Sequence, residues 1–308
     1  MDEQEGIKPL EVVAAVIRNA DGKVLVAQRP IDKHQGGKWE FPGGKVEQGE
    51  SRRSALGREL NEELGIEISS STRLISVYHE YEDKSIYLDV YEVTHWEGEP
   101  SGCEGQPVKW IEPSELKDHE FPAANAPIID AVCLPKLLKY FKAVATDGAF
   151  RDQILTSLSA GHKLLLHNYE EQPISHEQLN WLLDTAAEQN AEVIFQSPPP
   201  LVRNDFGIHL NSEDLLKAHE KPVAKYVSAS CYNPEELFKA QRLNLDFVII
   251  EPVLMMFASG REALGWPMFQ SLASRVNIPV YASGGLSDKD LELAREYGAQ
   301  GIASTSFS

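Results

Sequence analysis

The chain has 308 residues, of which 42% are hydrophobic and 25% charged, as in ordinary globular proteins. This length suits two domains, and the lack of a long apolar run argues against a membrane partner. The net charge of −18 disfavours stable binding to nucleic acids but allows a free nucleotide substrate whose phosphates are offset by a cation. The acidic N-terminus and the three unpaired cysteines predict a cytoplasmic protein with reduced, structural thiols.

The first half of the chain predicts strands arranged around a central helix. The predicted strands are Glu11–Arg18, Lys23–Gln28, Leu74–Glu80, Ser85–Val93 and Val108–Ile111. The central helix is predicted from about Ser51 to Leu64, and a second helix from Ala126 towards Leu138. This mixture favours an α/β sandwich with a mixed sheet.

The second half of the chain alternates between apolar runs and helix-like segments. The apolar runs are Tyr140–Ala145, Lys163–Leu166, Glu192–Phe195, Phe206–Leu210, Lys225–Ala229, Asp246–Ile250, Pro279–Ala282 and Gly301–Ala303. The helix-like segments are Ser175–Gln189, Asp214–His219, Pro234–Arg242 and Asp288–Tyr297. Such alternation predicts parallel strands, and so many strands favour a closed (β/α) barrel of the TIM type. We therefore expect one domain over residues 1–135 and a barrel over residues 136–308.

A segment with strictly spaced glutamates, GKVEQGESRRSALGRELNEELGI, follows Gly43. On a helix, Glu59, Glu62 and Glu63 stand at i, i+3 and i+4, so their carboxylates share one face. Like charges this close repel one another unless a cation intervenes, and clustered carboxylates suit Mg²⁺, with Mn²⁺ as an alternative. The glycines let the backbone approach closely, so that a carbonyl can join the site. A solvated face of Glu–Arg pairs is the alternative, which the glycine-rich loop and the spacing disfavour.

Two other charged residues of this segment have expected supporting roles. Glu50 belongs to the pattern described below, and a role as a cap of the helix N-terminus, where a carboxylate is favoured, is its alternative to a role in the site. Arg58 is expected to orient a glutamate.

The segment matches the Nudix signature, Gly-x5-Glu-x7-Arg-Glu-U-x-Glu-Glu-x-Gly-U with U apolar, at every position. From about Val12 to Val132 the chain resembles the MutT branch of this family, through AQRPIDKHQGGKWEFPGGKVEQGES, HWEGEPSGCEGQPVKWI and FPAANAPII. The resemblance implies a Nudix α/β/α sandwich and magnesium-dependent hydrolysis of oxidised guanine nucleotides such as 8-oxo-dGTP. Reaction at the β-phosphorus would release pyrophosphate and a nucleoside monophosphate. Hydrolysis of other nucleotides is the alternative within the same chemistry.

The resemblance also implies the residues of the site. The expected metal ligands are the carbonyl of Gly43 and the carboxylates of Glu59, Glu62, Glu63 and Glu104, and either Glu59 or Glu104 is the general base. The residues expected around the nucleotide are Arg29, His34, Glu40, Phe41, Pro42, Gly43, Lys84 and Asn125.

Several of these nucleotide-site residues have a second interpretation. Asn125 is expected to read the oxidised purine edge, because an amide can both donate and accept, or to cap the following helix. Phe41 either stacks on the base or packs, and His34 is either a phosphate ligand or a loop residue. Lys84 stands where the family can carry arginine, so a contact there lacks a planar fork.

Residues from about Tyr140 to Ser308 resemble thiamine phosphate synthase and its TenI-like relatives, through FGIHLNSEDL, VIIEPVL and YASGGLSDKDLELAREYGAQGIA. This resemblance implies a phosphate-bearing ligand at Gly284-Gly285, for which a tight turn is the alternative. The segments LLLHNYE, Gln196–Pro200 and Met255–Arg261 depart from the family and lack its metal pair and pyrophosphate loop. We expect a regulatory, ligand-binding or stabilising barrel without synthase activity; a thiamine-phosphate-type transferase is the alternative.

Overall fold

The structure, a computed structural model, describes residues 9–33, 35–82, 84–141, 146–168, 173–197, 205–254 and 262–307. The chain divides into two compact units, Met1–Leu134 and Pro135–Ser308, which we call the first and the second unit. In the described ranges no helix is long and apolar enough to cross a membrane. Cys103, Cys133 and Cys231 are all free thiols.

The first unit contains two sheets. Its strands are β1 (Leu10–Ile17), β2 (Val24–Gln28), β3 (Trp39–Glu40), β4 (Gly43–Lys45), β5 (Glu67–Glu80), β6 (Ser85–Glu97) and β7 (Val108–Ile111). The larger sheet has the order β4-β1-β6-β5 and is mixed, because β1 runs parallel to β6 but antiparallel to β4. The smaller sheet, β3-β2-β7, is antiparallel.

The helix that carries the glutamates is α1 (Arg52–Leu64). It begins after Ser51, whose hydroxyl accepts a hydrogen bond from the Ser54 amide, and it ends at Gly65, which has the left-handed φ of 70°. Its buried residues are Ala55, Leu56, Leu60 and Leu64, which pack in one core cluster with apolar side chains of β1. This packing fixes the axis of α1 against the sheet and leaves the glutamates on another face.

Helix α2 (Ala126–Cys133) packs on the other side of the sheet, so the predicted α/β sandwich is confirmed. Two 3-10 helices, Pro113–Asp118 and Ala123–Asn125, precede α2. The prediction that α2 continues towards Leu138 was wrong. Leu134 is extended because it precedes Pro135, and the residue before a proline is pushed out of the helical region.

The second unit is a closed barrel of parallel strands in the order β10-β11-β12-β13-β14-β15-β8-β9, which confirms the predicted TIM-type barrel. Its strands are β8 (Leu137–Tyr140), β9 (Leu164–Asn168), β10 (Glu192–Gln196), β11 (Gly207–Leu210), β12 (Val227–Cys231), β13 (Phe247–Ile250), β14 (Val280–Ser283) and β15 (Gly301–Ser304). Its helices are α3 (Asp147–Ser159), α4 (His176–Glu188), α5 (Ser212–Lys217), α6 (Pro234–Arg242), α7 (Gly265–Ala273) and α8 (Leu291–Glu296), with a 3-10 turn at Asp288–Asp290.

The first barrel strand lies earlier than the sequence predicts. It ends at Tyr140, where the predicted strand Tyr140–Ala145 begins, and residues 142–145 lie outside the described ranges. Parts of the three segments that depart from the synthase pattern, residues 169–170, 198–200 and 255–261, also lie outside them.

Candidate active site

A cavity of about 310 Å³ opens in the first unit and is lined by residues from β1, β4, β6 and the loops around them. The predicted site residues that line it are Arg29, Glu40, Phe41, Gly43, Glu63, Lys84, Glu104 and Asn125. Glu59, Glu62 and Pro42 are not among the lining residues, and His34 lies outside the described ranges. Most of the predicted residues are thus brought together around one cavity.

Glu63 is the partly buried carboxylate of α1 that lines this cavity. Its Oε2 atom accepts a hydrogen bond from the amide of Gly43 at 3.0 Å. Burial raises the pKa of Glu63 to about 8, and repulsion from Glu40, Glu59 and Glu104 adds to the rise. A cation among these carboxylates would relieve the repulsion.

We expect the metal-free protein to lose stability as the pH rises from about 4.5 to about 8, partly because of Glu63. The carboxyl has an ordinary pKa of 4.5 and a folded pKa of about 8, so between these values the folded chain keeps a proton that the unfolded chain has lost. Raising the pH through this window therefore favours unfolding. Urea titrations in chelator across this window should show a smaller fall in Glu63→Gln than in the wild type and in Glu67→Gln, a substitution of an exposed residue. Parallel profiles for all three proteins would contradict this expectation.

Arg58 holds three glutamates of the same segment. Its guanidinium donates to both carboxylate oxygens of Glu50, at 3.1 and 3.0 Å, and its Nη1 donates to Glu59 at 2.9 Å and to Glu62 at 3.2 Å. The capping alternative for Glu50 was wrong, since Ser51 is the cap and Glu50 is the partner of Arg58. The guanidinium therefore supplies the positive charge beside Glu59 and Glu62.

The residue types around α1 fit a hard divalent cation, which prefers clustered carboxylate and carbonyl oxygens. In this structure, Glu59 and Glu62 point to Arg58 while Glu63 points to the Gly43 amide. Accordingly, no three His, Cys, Asp or Glu side chains of the described ranges lie close enough to hold an ion as they stand. The glycine-rich loop does come close to them, because a Cβ at Gly44 would lie 2.3 Å from the Glu59 carboxyl carbon.

Glu104 lies on a loop that is tied to the C-terminal end of α1. The Oε1 atom of Gln106 accepts a hydrogen bond from the Glu104 amide, and its Nε2 atom donates to the carbonyl of Glu63, both at 2.9 Å. The amide of Cys103 donates to the same carbonyl at 2.9 Å. Gln106 was not among the predicted site residues, although it lies in the Glu-Gly-Gln-Pro segment that carried part of the resemblance.

Asn125 lies where the short 3-10 helix leads into α2, and only 8% of it is exposed. The capping alternative was wrong, because its side chain makes no capping hydrogen bond. Its amide lines the cavity and makes no hydrogen bond to any described residue. Phe41, also buried, stacks on Phe121 with ring centroids 5.6 Å apart, so its ring packs in the core.

Four basic side chains line the cavity. Arg29 forms an ion pair with Glu40, whose pKa is raised by burial and partly lowered again by this arginine. Two of the others, Lys33 and Lys45, were not predicted from the sequence and line the cavity together with Lys84. None of these three lysines forms an ion pair within the part of the chain that the structure describes. They are thus available to offset the charge of a phosphorylated ligand.

Both parts of the chain match known protein families. Residues 13–131 match the NUDIX domain family, and residues 202–307 match the thiamine monophosphate synthase family. The 8-oxo-dGTP diphosphatase of Escherichia coli (strain K12) is 40% identical over 123 residues, which cover 40% of this chain and 95% of that protein. The CTP pyrophosphohydrolase of the same organism is 42% identical over 125 residues, covering 41% of this chain and 92% of that protein. A solved MutT structure, from work on Aliivibrio salmonicida and Vibrio cholerae, is 38% identical with a TM-score of 0.37, covering 41% of this chain and 98% of that one.

The first unit thus has the fold, the glutamate helix and the relatives of a pyrophosphohydrolase. The chain belongs to the Nudix hydrolase family, and it carries a domain similar to thiamine monophosphate synthase after the Nudix domain.

Proposed function

We propose that the first unit hydrolyses 8-oxo-dGTP to 8-oxo-dGMP and pyrophosphate, which removes an oxidised nucleotide from the free pool before it can cause replication errors. The observation that carries this proposal is the amide of Asn125, which is buried, lines the cavity and has no hydrogen-bond partner among the described residues. An amide that faces a cavity and has no partner among the described residues is available to a ligand there. The substrate is a free nucleotide, and we expect the protein to act in the cytoplasm.

The Asn125 amide suits the edge on which oxidised and ordinary guanine differ. Oxidation at C8 converts N7 from an acceptor into an N–H donor. A side-chain amide can accept from that N–H with its oxygen and donate to the neighbouring O6 with its nitrogen. Ordinary guanine places a lone pair at N7, so the amide cannot satisfy both positions in the same orientation. An enzyme discriminates strongly between two substrates when the wrong one leaves a polar group of the site unpaired.

Nudix hydrolases depend on divalent cations, and here we propose Mg²⁺, with Mn²⁺ as the alternative. The proposed ligands are the Gly43 carbonyl and the carboxylates of Glu59, Glu62, Glu63 and Glu104. When bound, such a cation stabilises charge on the phosphates and makes water a better nucleophile.

Side chains of this chain neutralise the substrate charge and accept the proton of the attacking water. Lys33, Lys45 and Lys84 offset the negative charge of the triphosphate. A water molecule attacks the β-phosphorus while Glu59 or Glu104 accepts its proton. The bond from the β-phosphorus to the oxygen shared with the α-phosphorus then breaks, so the nucleoside monophosphate leaves and the remaining two phosphates form pyrophosphate.

The test of the proposed substrate is the kcat/KM for 8-oxo-dGTP, dGTP and CTP under Mg²⁺, with pyrophosphate release as the readout. We expect a strong preference for 8-oxo-dGTP in the wild type. Asn125→Ala should lower kcat/KM for 8-oxo-dGTP by about a hundredfold, because one buried donor and one acceptor lose their partner, and should change dGTP turnover much less. The control, Asn61→Ala, removes an exposed amide of α1. Equal turnover of 8-oxo-dGTP and dGTP, or preferential turnover of CTP, would refute the proposed substrate but not the hydrolase.

Gln106 is expected to act as a positioning residue for Glu104. Gln106→Ala removes both hydrogen bonds that join the Glu104 amide to the Glu63 carbonyl, so kcat should fall by about tenfold, with a weaker apparent affinity for Mg²⁺ and little change in KM. Gln48→Ala, at an exposed position in the same unit, is the matched control. If Gln106→Ala keeps both the wild-type kcat and the wild-type Mg²⁺ dependence, the loop does not need this tie.

For the second unit we propose a binding module without synthase activity. Gly284 and Gly285 both have positive φ, and a Cβ at Gly284 would lie 2.6 Å from the Cα of Pro252, so the turn itself requires glycine there. We propose that a phosphate-bearing ligand binds at this turn. Incubation with thiazole phosphate and pyrimidine pyrophosphate should yield no thiamine phosphate, and formation of that product would favour the transferase alternative.

A further inference from the structure

A polar cluster lies at the C-terminal ends of the barrel strands, apart from the hydrolase site. Its members are Tyr140 at the end of β8, His209 on β11, Ser230 on β12, Tyr232 after β12 and Glu251 after β13. Strand β8 is opposite β12 in the closed order, so Tyr140 faces Ser230 and Glu251 across the interior of the barrel. Ligands of barrels of this type bind at this end.

The histidine of the cluster fixes the direction of the hydrogen bonds. His209 is buried, and burial lowers its pKa to about 3, so its ring is neutral. Its Nε2 atom lies 3.0 Å from the Ser230 hydroxyl, which donates its one proton to Oε1 of Glu251 at 3.1 Å. Ser230 must therefore accept from Nε2–H, and Nδ1 accepts from the hydroxyl of Ser228 at 2.8 Å.

The hydrogen bonds from Ser228 through His209 and Ser230 thus all donate in the direction of Glu251. The hydroxyl of Tyr232 also donates to Oε1 of Glu251, at 3.4 Å. Donors aimed at one oxygen stabilise an ionised carboxylate. Yet Glu251 is half-buried, forms no ion pair with any described residue, and its Oε2 atom accepts no hydrogen bond from the described part of the chain.

A half-buried anion without a cationic partner is costly, and a protein that only needed to fill this space could do so with an apolar side chain. We propose that Glu251 binds a small organic cation, a protonated amine or amidine, at the C-terminal end of the barrel. Two hydroxyls donate to Oε1, and Oε2 accepts the N–H of the ligand. The hydroxyl of Tyr232 contacts Glu251, and the ring of a tyrosine suits a cation. This inference does not depend on the proposed hydrolase substrate, because it concerns the other unit.

The test is calorimetric titration of the full chain with benzylammonium and benzamidinium, each compared with its neutral match, benzyl alcohol or benzamide. Saturating Mg²⁺ keeps the organic cations from the acidic helix of the first unit. We expect at least one cation to bind with a Kd near or below about 1 mM, and its neutral match to bind at least about tenfold more weakly. The ammonium and amidinium arms distinguish the two kinds of cation.

Two variants separate a binding role from a structural one. Glu251→Gln should weaken cation binding by at least about tenfold. It should leave the Tm unchanged or raise it, because the amide oxygen can still accept from Ser230 and Tyr232. Glu235→Gln, at an exposed position on α6, should change neither quantity. The proposal is overturned if neither cation binds saturably near that concentration, if Glu251→Gln binds like the wild type, or if Glu251→Gln lowers the Tm by several degrees.

Discussion

We expect Glu63→Gln to lower the kcat for nucleotide hydrolysis by about a thousandfold or more, with pyrophosphate release under saturating Mg²⁺ as the measurement. Glu63 is the carboxylate of α1 that lines the cavity and contacts the glycine-rich loop. Its raised pKa, about 8, reflects burial among other carboxylates, and a proposed divalent cation would balance that negative charge. The amide of glutamine is neutral, so the proposed site would lose one of its charged ligands.

The same variant should leave the fold intact. The side-chain oxygen of glutamine can still accept the hydrogen bond that the Gly43 amide donates, and the neutral side chain removes repulsion from Glu40, Glu59 and Glu104. The unfolding midpoint of metal-free Glu63→Gln at pH 8 should therefore equal or exceed that of the wild type. Glu67→Gln, which removes an exposed carboxylate on β5, controls for net charge. Turnover within about tenfold of the wild type would show that the cation, and the chemistry, lie elsewhere.

Local sequence determines much of this site. The i, i+3, i+4 spacing put Glu59, Glu62 and Glu63 on one helix face, and the structure has α1 over Arg52–Leu64, where it was predicted. Spacing along a helix does not say which partner each side chain selects. Glu59 and Glu62 accept hydrogen bonds from Arg58, while Glu63 accepts one from the Gly43 amide.

The spacing of residues along the sequence does not predict contacts between distant segments of the site. Gln106 connects a loop to α1 across 43 residues of sequence, and only the folded chain shows that its two hydrogen bonds bridge Glu104 and Glu63. Asn125 is a favoured residue for a helix N-terminus, yet its side chain makes no capping bond. In both cases the tertiary surroundings of an amide, rather than its local preference, decide its partner.

The barrel shows the same division between local pattern and tertiary context. Buried parallel strands are continuous apolar runs, so most of them could be located from sequence, and Pro234–Arg242 was predicted with its observed bounds. The first strand was misplaced because Leu137–Tyr140 includes Lys139, and its pairing with β15 and β9 is what makes it a strand. Similarly, β5 begins at Glu67 rather than Leu74, since its polar first residues pair with β6 without an apolar signal.

The second large effect is expected from Gly43→Ala, which should lower the unfolding free energy of the first unit by about 3 kcal/mol or more. Gly43 has a φ of 147°, and it pairs with Ala14 where β4 meets β1. A Cβ there would lie 2.1 Å from the carbonyl oxygen of Val13, a backbone atom that cannot move aside without separating the strands. Gly49→Ala is the matched control, because Gly49 also has positive φ but a Cβ would meet nothing within 4 Å. Its backbone strain alone should cost about 1 kcal/mol.

Urea titration followed by hydrogen exchange of peptides from each unit measures this difference, with the barrel peptides as an internal reference. If Gly43→Ala unfolds within about 1 kcal/mol of Gly49→Ala, the strands can separate at little cost and the close approach is not structurally required. The comparison bears on function as well. Gly43 lets β4 lie against β1 because it has no Cβ. The amide of Gly43 also donates to Glu63, and its carbonyl is a proposed metal ligand. A side chain at this position would therefore remove the pairing that holds the proposed site, so activity should be lost even in conditions where the barrel remains folded.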